Sequence, residues 1–436
     1  MRKQTSWLKT PWLHLPIGTW MLLVVLVFLL WALGSILFIR REVVEYPMAH
    51  RFPVSDPSFF NSALALADPV ALEGNKIEIL NNGDEYFPAM LTAIRSAQKS
   101  ISFEAFLYES SSIGTQFREA LCERARNGVK VRVLLDGIGS GSAFKKEDEQ
   151  AFRDGGCLFA YFHPTHSWKL NTLNHRTHRR ILVIDGKVAF TGGAGFADRW
   201  KGNAAHPENW RDIHARLEGP IVGRMQSAFQ KHWIKSGGDL MGGPGEYPTL
   251  PEAGSLKAQM VASESFTLAP LAYAQSVAFS SATKSIFITN AYCAPSDAEV
   301  TLLCDAVRRG VIVRLLLPGK HNDQPMTKAA GRTAYGSLLK NGVEIYEYLP
   351  TMIHSKTMVI DGLFSIFGTS NFDARSAQIN EEMDIVVYDS EFGQKMEGIF
   401  NTDLAQSKRY LLEDFEKRSL WERFSEWIVL PLHSQM

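Results

Sequence analysis

His178, Arg180 and Asp185 recur as His354, Lys356 and Asp361, and the set suits transfer of an anionic group. In each copy a basic residue stands two after the His, an Asp seven after it and a Gly fourteen after it (Gly192, Gly368), every pair offset by 176. A phosphodiester resists attack because its charge repels nucleophiles and its alkoxide leaves poorly. Two imidazoles and two cations answer both difficulties. One His, neutral, attacks phosphorus and forms a phosphohistidine. The other, protonated, donates to the departing alcohol and then takes a proton from the incoming one, a contribution of about 10²–10⁴-fold. The two rings must therefore begin in different protonation states. Arg180, Lys356 and the side-chain amide of Asn371 are expected to hold the non-bridging oxygens as charge builds.

A second layer of residues supports this reading. Asp212, in Trp210-Arg211-Asp212, aligns with Glu382, in Asn380-Glu381-Glu382. A carboxylate on each side can bind the remaining ring nitrogen of a His and fix its tautomer, as in a triad. Asp185 and Asp361 are expected to brace strand and loop rather than touch substrate.

The duplication extends beyond the motifs. Ser96–Ile101 resembles Ser281–Ile286, Val129–Leu135 resembles Val311–Leu317, and Gly156–Pro164 mirrors Gly342–Pro350. The first copy then inserts ten residues, Thr165–Asn174, since 14 positions separate Pro164 from His178 and only 4 separate Pro350 from His354. With Trp168 and Leu170, this insertion reads as a lipid-facing lid or as an ordinary loop.

At this point the chain resembles the phospholipase D superfamily, and within it bacterial cardiolipin synthases, from about Asn75 to about Arg409. The likeness is densest over Asn174–Gly195, Trp210–Pro220 and His354–Asp389, the last containing GTSNFDARS and NEEMDIVVYD. The resemblance implies a ping-pong route with neither metal nor cofactor, His178 as nucleophile and His354 as acid/base. It implies a membrane-bound phosphatidyltransferase that makes cardiolipin from two phosphatidylglycerol molecules and releases glycerol. A hydrolase sharing these residues, with water as acceptor, is the alternative, and a degenerate lipid-binding protein is another. The chain departs from the family in two places: Arg180 stands where Lys is usual, and Gly195 stands where the second copy has Asn371. Arg keeps the charge on a larger fork, and the missing amide removes a donor, so the first half of the site is expected to hold phosphate less well.

Composition bounds the rest. The 436 residues suffice for two domain-sized cores. Forty-six basic and 46 acidic residues cancel, so no nucleic-acid partner is expected. Cys122, Cys157, Cys293 and Cys304 lack metal spacing and are expected to pack in apolar interiors. Ile17–Ile39 is 23 residues without a charge, roughly 34 Å of helix, which predicts an uncleaved membrane anchor. Basic residues flank it equally, so orientation stays open. Leu420, Trp421, Phe424, Trp427, Ile428 and Leu430 interleave with charges as an amphipathic helix, suited either to a membrane surface or to closing the second lobe.

These elements predict a two-lobed, duplicated α/β/α sandwich with a mostly parallel or mixed sheet, preceded by a transmembrane helix. Residues 1–41 form the anchor, 42–74 a tether, 75–235 lobe one, 236–255 a Gly/Pro-rich linker, 256–410 lobe two and 411–436 the amphipathic tail. Strands are expected over Ile101–Phe106, Val129–Leu135, Arg180–Asp185, Ile286–Asn290 and Val311–Leu317, with helices at Gly114–Asn127 and Asp297–Arg308. His178 and His354 fall at strand starts. Gly137–Gly141 lacks the Gly-Lys-Ser/Thr of a phosphate loop and reads as a plain turn.

Overall fold

The duplication is written into the strand order of one mixed 15-stranded sheet. The structure is a computed structural model and describes residues 16–37, 52–66, 68, 70–164, 174–263 and 270–429. Two helices come first, α1 (Ile17–Leu37) and α2 (Pro57–Leu66). Lobe one follows as β1 (Ala71–Asn81), α3 (Asn82–Ser96), β2 (Ser100–Ala105), α4 (Ser112–Arg126), β3 (Lys130–Asp136), α5 (Lys146–Asp154) and β4 (Leu158–Phe162). It ends with β5 (Ile181–Ile184), β6 (Val188–Gly192), β7 (Ile213–Glu218) and α6 (Ile221–Lys235). Lobe two repeats the order: β8 (Leu256–Ala262), α7 (Pro270–Ser281), β9 (Ser285–Asn290), a short β10 (Cys293–Ala294), α8 (Asp297–Arg308), β11 (Ile312–Pro318), α9 (Pro325–Lys340) and β12 (Glu344–Tyr348). Then come β13 (Lys356–Ile360), β14 (Phe364–Gly368), a short β15 (Phe372–Asp373), α10 (Ala374–Gln378), β16 (Met383–Tyr388) and α11 (Ser390–Leu404). The chain closes with β17 (Ser407–Tyr410), α12 (Leu412–Glu416) and α13 (Leu420–Val429).

Read outward from the middle, the sheet runs β1-β7-β6-β5-β2-β3-β4 in one direction and β8-β16-β14-β13-β9-β11-β12 in the other, with β17 added at the far edge. Each strand meets its repeat partner at the same distance from the centre. A pseudo-twofold axis therefore passes between β1 and β8, which pair antiparallel across a bulge between Leu72 and Asn75. Strands β2, β3 and β4 are parallel, as are β9, β11 and β12, while the central strands are antiparallel. The expected strands form within a residue or two of their bounds, because their alternation of Val, Ile and Leu fills both faces of a covered sheet.

One face of the sheet carries separate cores: Phe103, Phe117 and Val133 in lobe one, and Ile288, Leu303 and Leu315 in lobe two. The other carries a single core across both lobes, in which Ile77, Met260, Val359 and Ile385 lie under α6 and α11. The linker 236–255 contains no helix or strand. All four cysteines are free and buried, with Cys157 Sγ 3.9 Å from Cys122 Sγ.

Two expectations are corrected. The stretch read as a loose tether is folded where it is described: Phe59 and Ala63 of α2 enter the core of lobe two, with the Phe59 ring edge-on to Phe364 at 5.2 Å. The apolar positions of Pro57–Leu66 are what a short packed helix needs, and the polar residues between them masked that pattern. Lobe one also begins at Ala71 rather than at Asn75, since the first strand runs through Asn75 to Asn81. As for the anchor, α1 is a 21-residue helix with no charged residue. Several of its side chains lie outside the described residues, and among those described no helix is long and apolar enough to cross a membrane. The segment 165–173, nearly all of the lobe-one insertion, also lies outside them.

Asp185 and Asp361 occupy left-handed turns (φ 51° and 54°) after β5 and β13, seven residues from each His. At strand rise that is about 23 Å. Asp185 accepts the backbone N–H groups of Gln98, Lys99 and Ser100, and Asp361 those of Thr283, Lys284 and Ser285. Each carboxylate thus ties a β-turn to the start of the neighbouring strand. Asp361→Ala should cost roughly 2–4 kcal/mol of stability through orphaned N–H groups. Urea unfolding would measure the loss, and activity per folded molecule should remain unchanged.

Candidate active site

His178 lies three residues before the start of β5 and His354 two before that of β13. The first residues of these strands, Ile181 and Lys356, pair with Glu104 and Asn290 at the ends of β2 and β9. That places both rings at the carboxyl ends of the parallel strands, where α/β sheets usually bind ligands. The pseudo-twofold axis brings them to one cleft of about 290 Å³, lined also by Arg180, Trp210, Tyr292 and Asn371.

Each histidine is held by the opposite lobe. The backbone N–H of His178 donates to Glu381 O (2.9 Å) and that of His354 to Arg211 O (2.7 Å). Their rings repeat the exchange. His178 Nδ1 lies 2.9 Å from both oxygens of Glu382, and His354 Nδ1 lies 2.8 Å from Asp212 Oδ2. A carboxylate can only accept, so Nδ1 carries the hydrogen in both rings and Nε2 presents its lone pair. The expected pairing of Asp212 and Glu382 with the two histidines is present, and it crosses between lobes.

The cations sit on those lone pairs. Arg180 Nη2 lies 3.0 Å from His178 Nε2, and its Nη1 donates to His178 O at 2.6 Å. Lys356 Nζ donates to His354 O (2.6 Å) and lies 2.9 and 3.0 Å from the two ring nitrogens of His354. Because Nδ1 already donates to Asp212, Nε2 is the ring's acceptor. Asn371 lies on the cleft wall with its buried Oδ1 unpartnered.

Burial and these neighbours set the protonation states. Burial, reinforced by Arg180, pushes His178 down to about 4 against the pull of Glu382. Burial and Lys356 push His354 down to about 3. Burial also lowers Lys356 to about 7, with Arg180 adding to it and Asp212 and Glu382 opposing. Burial opposes ionisation of Asp212 and Glu382, and their hydrogen bonds and facing charges outweigh it. The cleft thus holds two neutral imidazoles, where one neutral and one protonated ring were expected, because burial and a neighbouring cation depress both. Two carboxylates and two cations surround them, and Lys356 gives up its proton near neutrality.

Several contributors were not singled out from sequence. Glu382 accepts from Thr369 Oγ1 (2.6 Å), Ser376 Oγ (2.8 Å) and Asn380 Nδ2 (3.4 Å). By the 176 offset, Thr369 corresponds to Gly193, Asn371 to Gly195 and Ser376 to Trp200. Lobe one therefore lacks those hydroxyls, and the Trp200 indole N–H serves instead, donating to Asp212 Oδ2 at 3.1 Å. The space of the missing amide is filled: a Cβ on Gly195 would lie 3.0 Å from the Trp200 ring and 3.2 Å from Leu107. A Cβ on Gly193 would lie 2.5 Å from Asp212 itself. The quoted GTSNFDARS stretch, compared position by position with GGAGFADRW, carried this signal.

A further bridge runs beneath His178. His232 of α6 lies between Glu104 Oε1 (2.6 Å) and Glu381 Oε2 (2.5 Å), Thr177 Oγ1 donates to the same oxygen of Glu104 (2.5 Å), and Lys235 donates to Glu381 (2.7 Å). On the other side of the axis, Arg211 bonds Asp403, Asn81 and Asn82. These residues carry no motif, because their partners are distant in sequence, and Glu381 and Asp403 meet them only by the docking of the lobes.

A duplicated α/β/α sandwich with two His–cation sets facing one cleft defines the phospholipase D class of enzyme. The family described as "Cardiolipin synthase, PLD-like domain" matches residues 90–233 and 277–404, and the chain belongs to that family. It is 32% identical over 404 residues to "Cardiolipin synthase 1" of Bacillus anthracis, covering 88% of this chain and 78% of that one. It is 33% identical over 370 residues to "Probable cardiolipin synthase YwiE" of Bacillus subtilis (strain 168), covering 84% and 74%. The fold is similar to a phosphatidylserine synthase of Haemophilus influenzae Rd KW20, with a TM-score of 0.65, 13% identity and coverage of 84% and 97%. The enzyme class expected from sequence is the one these relatives carry.

Two outcomes follow from the geometry. Gly195→Asn, which restores the amide of lobe two, should destabilise the protein by about 1–3 kcal/mol by overpacking against Trp200 and should not raise activity. Thermal unfolding beside an activity assay checks both. Lys356 is charged below about 7 and neutral above it, so kcat/KM should fall as pH rises through 7. In Lys356→Arg that alkaline limb should move to higher pH, because a guanidinium does not titrate there.

Proposed function

We propose that this protein transfers a phosphatidyl group from one phosphatidylglycerol to another, releasing glycerol and forming cardiolipin. The observation that carries the reading is the pair of neutral, carboxylate-oriented imidazoles with their Nε2 lone pairs under two cations in one cleft. The incoming phosphodiester takes Arg180 and Lys356 onto its non-bridging oxygens, which uncovers both Nε2 atoms, and Asn371 adds a polar contact. His178 Nε2 attacks phosphorus and the P–O bond to glycerol breaks. His354 supplies the proton to that oxygen. The anionic substrate and the withdrawal of Lys356 raise the basicity of His354 Nε2, which takes a proton from solvent as the substrate binds and passes it to that oxygen. A hydroxyl of the second phosphatidylglycerol then gives its proton to His354 and attacks the phosphohistidine, which frees His178. As product leaves and Lys356 returns, His354 loses that proton to solvent and both rings are restored.

Asp212 and Glu382 act through the histidines, keeping Nδ1 protonated and stabilising each imidazolium as it forms. The pairing of Tyr292 Oη with Asp323 (2.8 Å) on the cleft wall gives an acceptor for the diol of a glycerol headgroup. The departure at Gly195 is compatible with an active site, since Trp200 fills the space beside it and holds Asp212, and Arg180 keeps a cation on His178 Nε2. We assign the uncharged run Ile17–Ile39, which extends beyond the described part of α1, as the single-pass anchor of a plasma-membrane enzyme.

The test is a vesicle assay of the full-length protein with labelled phosphatidylglycerol, read by mass spectrometry. Cardiolipin and glycerol should appear with the wild type and fall by at least about 10³-fold in His178→Ala and His354→Ala. Phosphatidic acid in place of cardiolipin would make the chain a hydrolase, and absence of any product would overturn the reading.

A further inference from the structure

Helix α13 is amphipathic in the reverse of the usual sense. At 100° per residue, Trp427, Leu420, Phe424, Ile428 and Trp421 share an arc of roughly 120°, and this arc faces solvent. Leu420 is 83% exposed, Trp421 73% and Trp427 67%. The opposite face turns its charges inward: Glu422 accepts from Arg332 of α9 at 2.8 Å, and Glu426 pairs with Arg418 at 3.0 Å. Among the described residues of α13, Val429 packs its side chain inward against Ala294 and Ala330. A helix that merely closed lobe two would bury its tryptophans and expose its glutamates. Here the Glu422–Arg332 pair holds the helix to α9, and the Glu426–Arg418 pair ties it to the segment before it. The aromatic rings, with centroids 5.9 Å (Trp421–Phe424) and 6.2 Å (Phe424–Trp427) apart, stand outward.

We propose that α13 is a bilayer-contact element that seats the mouth of the cleft on an anionic lipid surface. The proposal rests on the phosphatidyl-transfer reading above for the reason such contact is needed. Tryptophans beside an exposed Arg423 suit the headgroup layer, where amphipathic rings settle and a cation meets anionic phosphates. Position points the same way. Helix α9, which α13 packs along, begins among cleft residues Asp323, Gln324 and Thr327, and Met326 between them is 53% exposed. Ala294, under Val429, lies two residues from Tyr292 on the cleft wall. A membrane meeting the outer face of α13 therefore meets the same flank of lobe two that opens onto the histidines.

The test uses the full chain, whose native cysteines are buried, carrying Trp427→Cys labelled with an environment-sensitive fluorophore. In vesicles of phosphatidylcholine and phosphatidylglycerol the label should shift to the blue and be quenched by lipids brominated near the headgroup. The same label at Leu240→Cys, a position 77% exposed on the linker, should stay open to iodide. Equal iodide access at both positions would overturn the proposal. So would equal shielding of position 427 in detergent without lipid, which would instead indicate a second copy or another part of this chain.

A second arm replaces Trp421, Phe424 and Trp427 together by Ser. Turnover of long-chain phosphatidylglycerol in vesicles should fall roughly tenfold or more, while turnover of short-chain, monomerically dissolved phosphatidylglycerol stays unchanged. Equal loss on both substrates would count against a surface role. Because the fluorescence readout needs no turnover, an inactive protein with a lipid-quenched label would reject phosphatidyl transfer alone.

Discussion

Each lobe supplies the carboxylate that the other lobe's histidine requires. His178 and His354 are buried beside Arg180 and Lys356, and two cations in such a place are costly unless matched. Glu382 and Asp212 match them, so the cleft carries two positive and two negative side chains around neutral rings. Neither lobe can complete its own site. Correct docking is therefore a condition of the chemistry, and the continuous β1–β8 seam, the shared core beneath α6 and α11 and the paired backbone bridges at Thr177–Glu381 and Arg211–Ile353 enforce it.

The two halves reach the same end by unlike means. Glu382 is longer than Asp212 and is steadied by the Thr369 and Ser376 hydroxyls. Asp212 is shorter, lies close against Gly193 and takes the Trp200 indole and the Ile213 backbone N–H. Gly193, Gly195 and Trp200 form a compensated set, because side chains at the two glycines would collide with what Trp200 and Asp212 already occupy. The arginine at 180 fits the same logic, with one arm on the backbone oxygen of His178 and another on its ring.

Lobe two also carries α2 before the duplicated body and α13 after it. Helix α2 enters its core through Phe59 and Ala63, and α13 is clipped to α9 by Arg332. The segment between α1 and the catalytic body is thus folded where α2 is described. An element leading to α1 and the outward face of α13 then belong to one lobe.

The motif residues, the duplication, the alternating strands and the uncharged run at Ile17–Ile39 were legible in the chain because each is a local pattern of type and spacing. So was the support of each His by a carboxylate, since Asp212 and Glu382 align once the halves are superposed. Which carboxylate meets which histidine was not legible: positions 178 and 382 lie 204 residues apart, and only the pseudo-twofold axis decides that they touch. The packing of α2 was hidden by its short apolar pattern within a polar stretch. The direction in which α13 faces was equally hidden, because a hydrophobic arc says that a helix has two sides and not which one the protein takes. Composition and spacing determined the chemistry available to this protein. The tertiary structure alone decided the pairing and the outward face, since both depend on contacts between surfaces far apart in sequence.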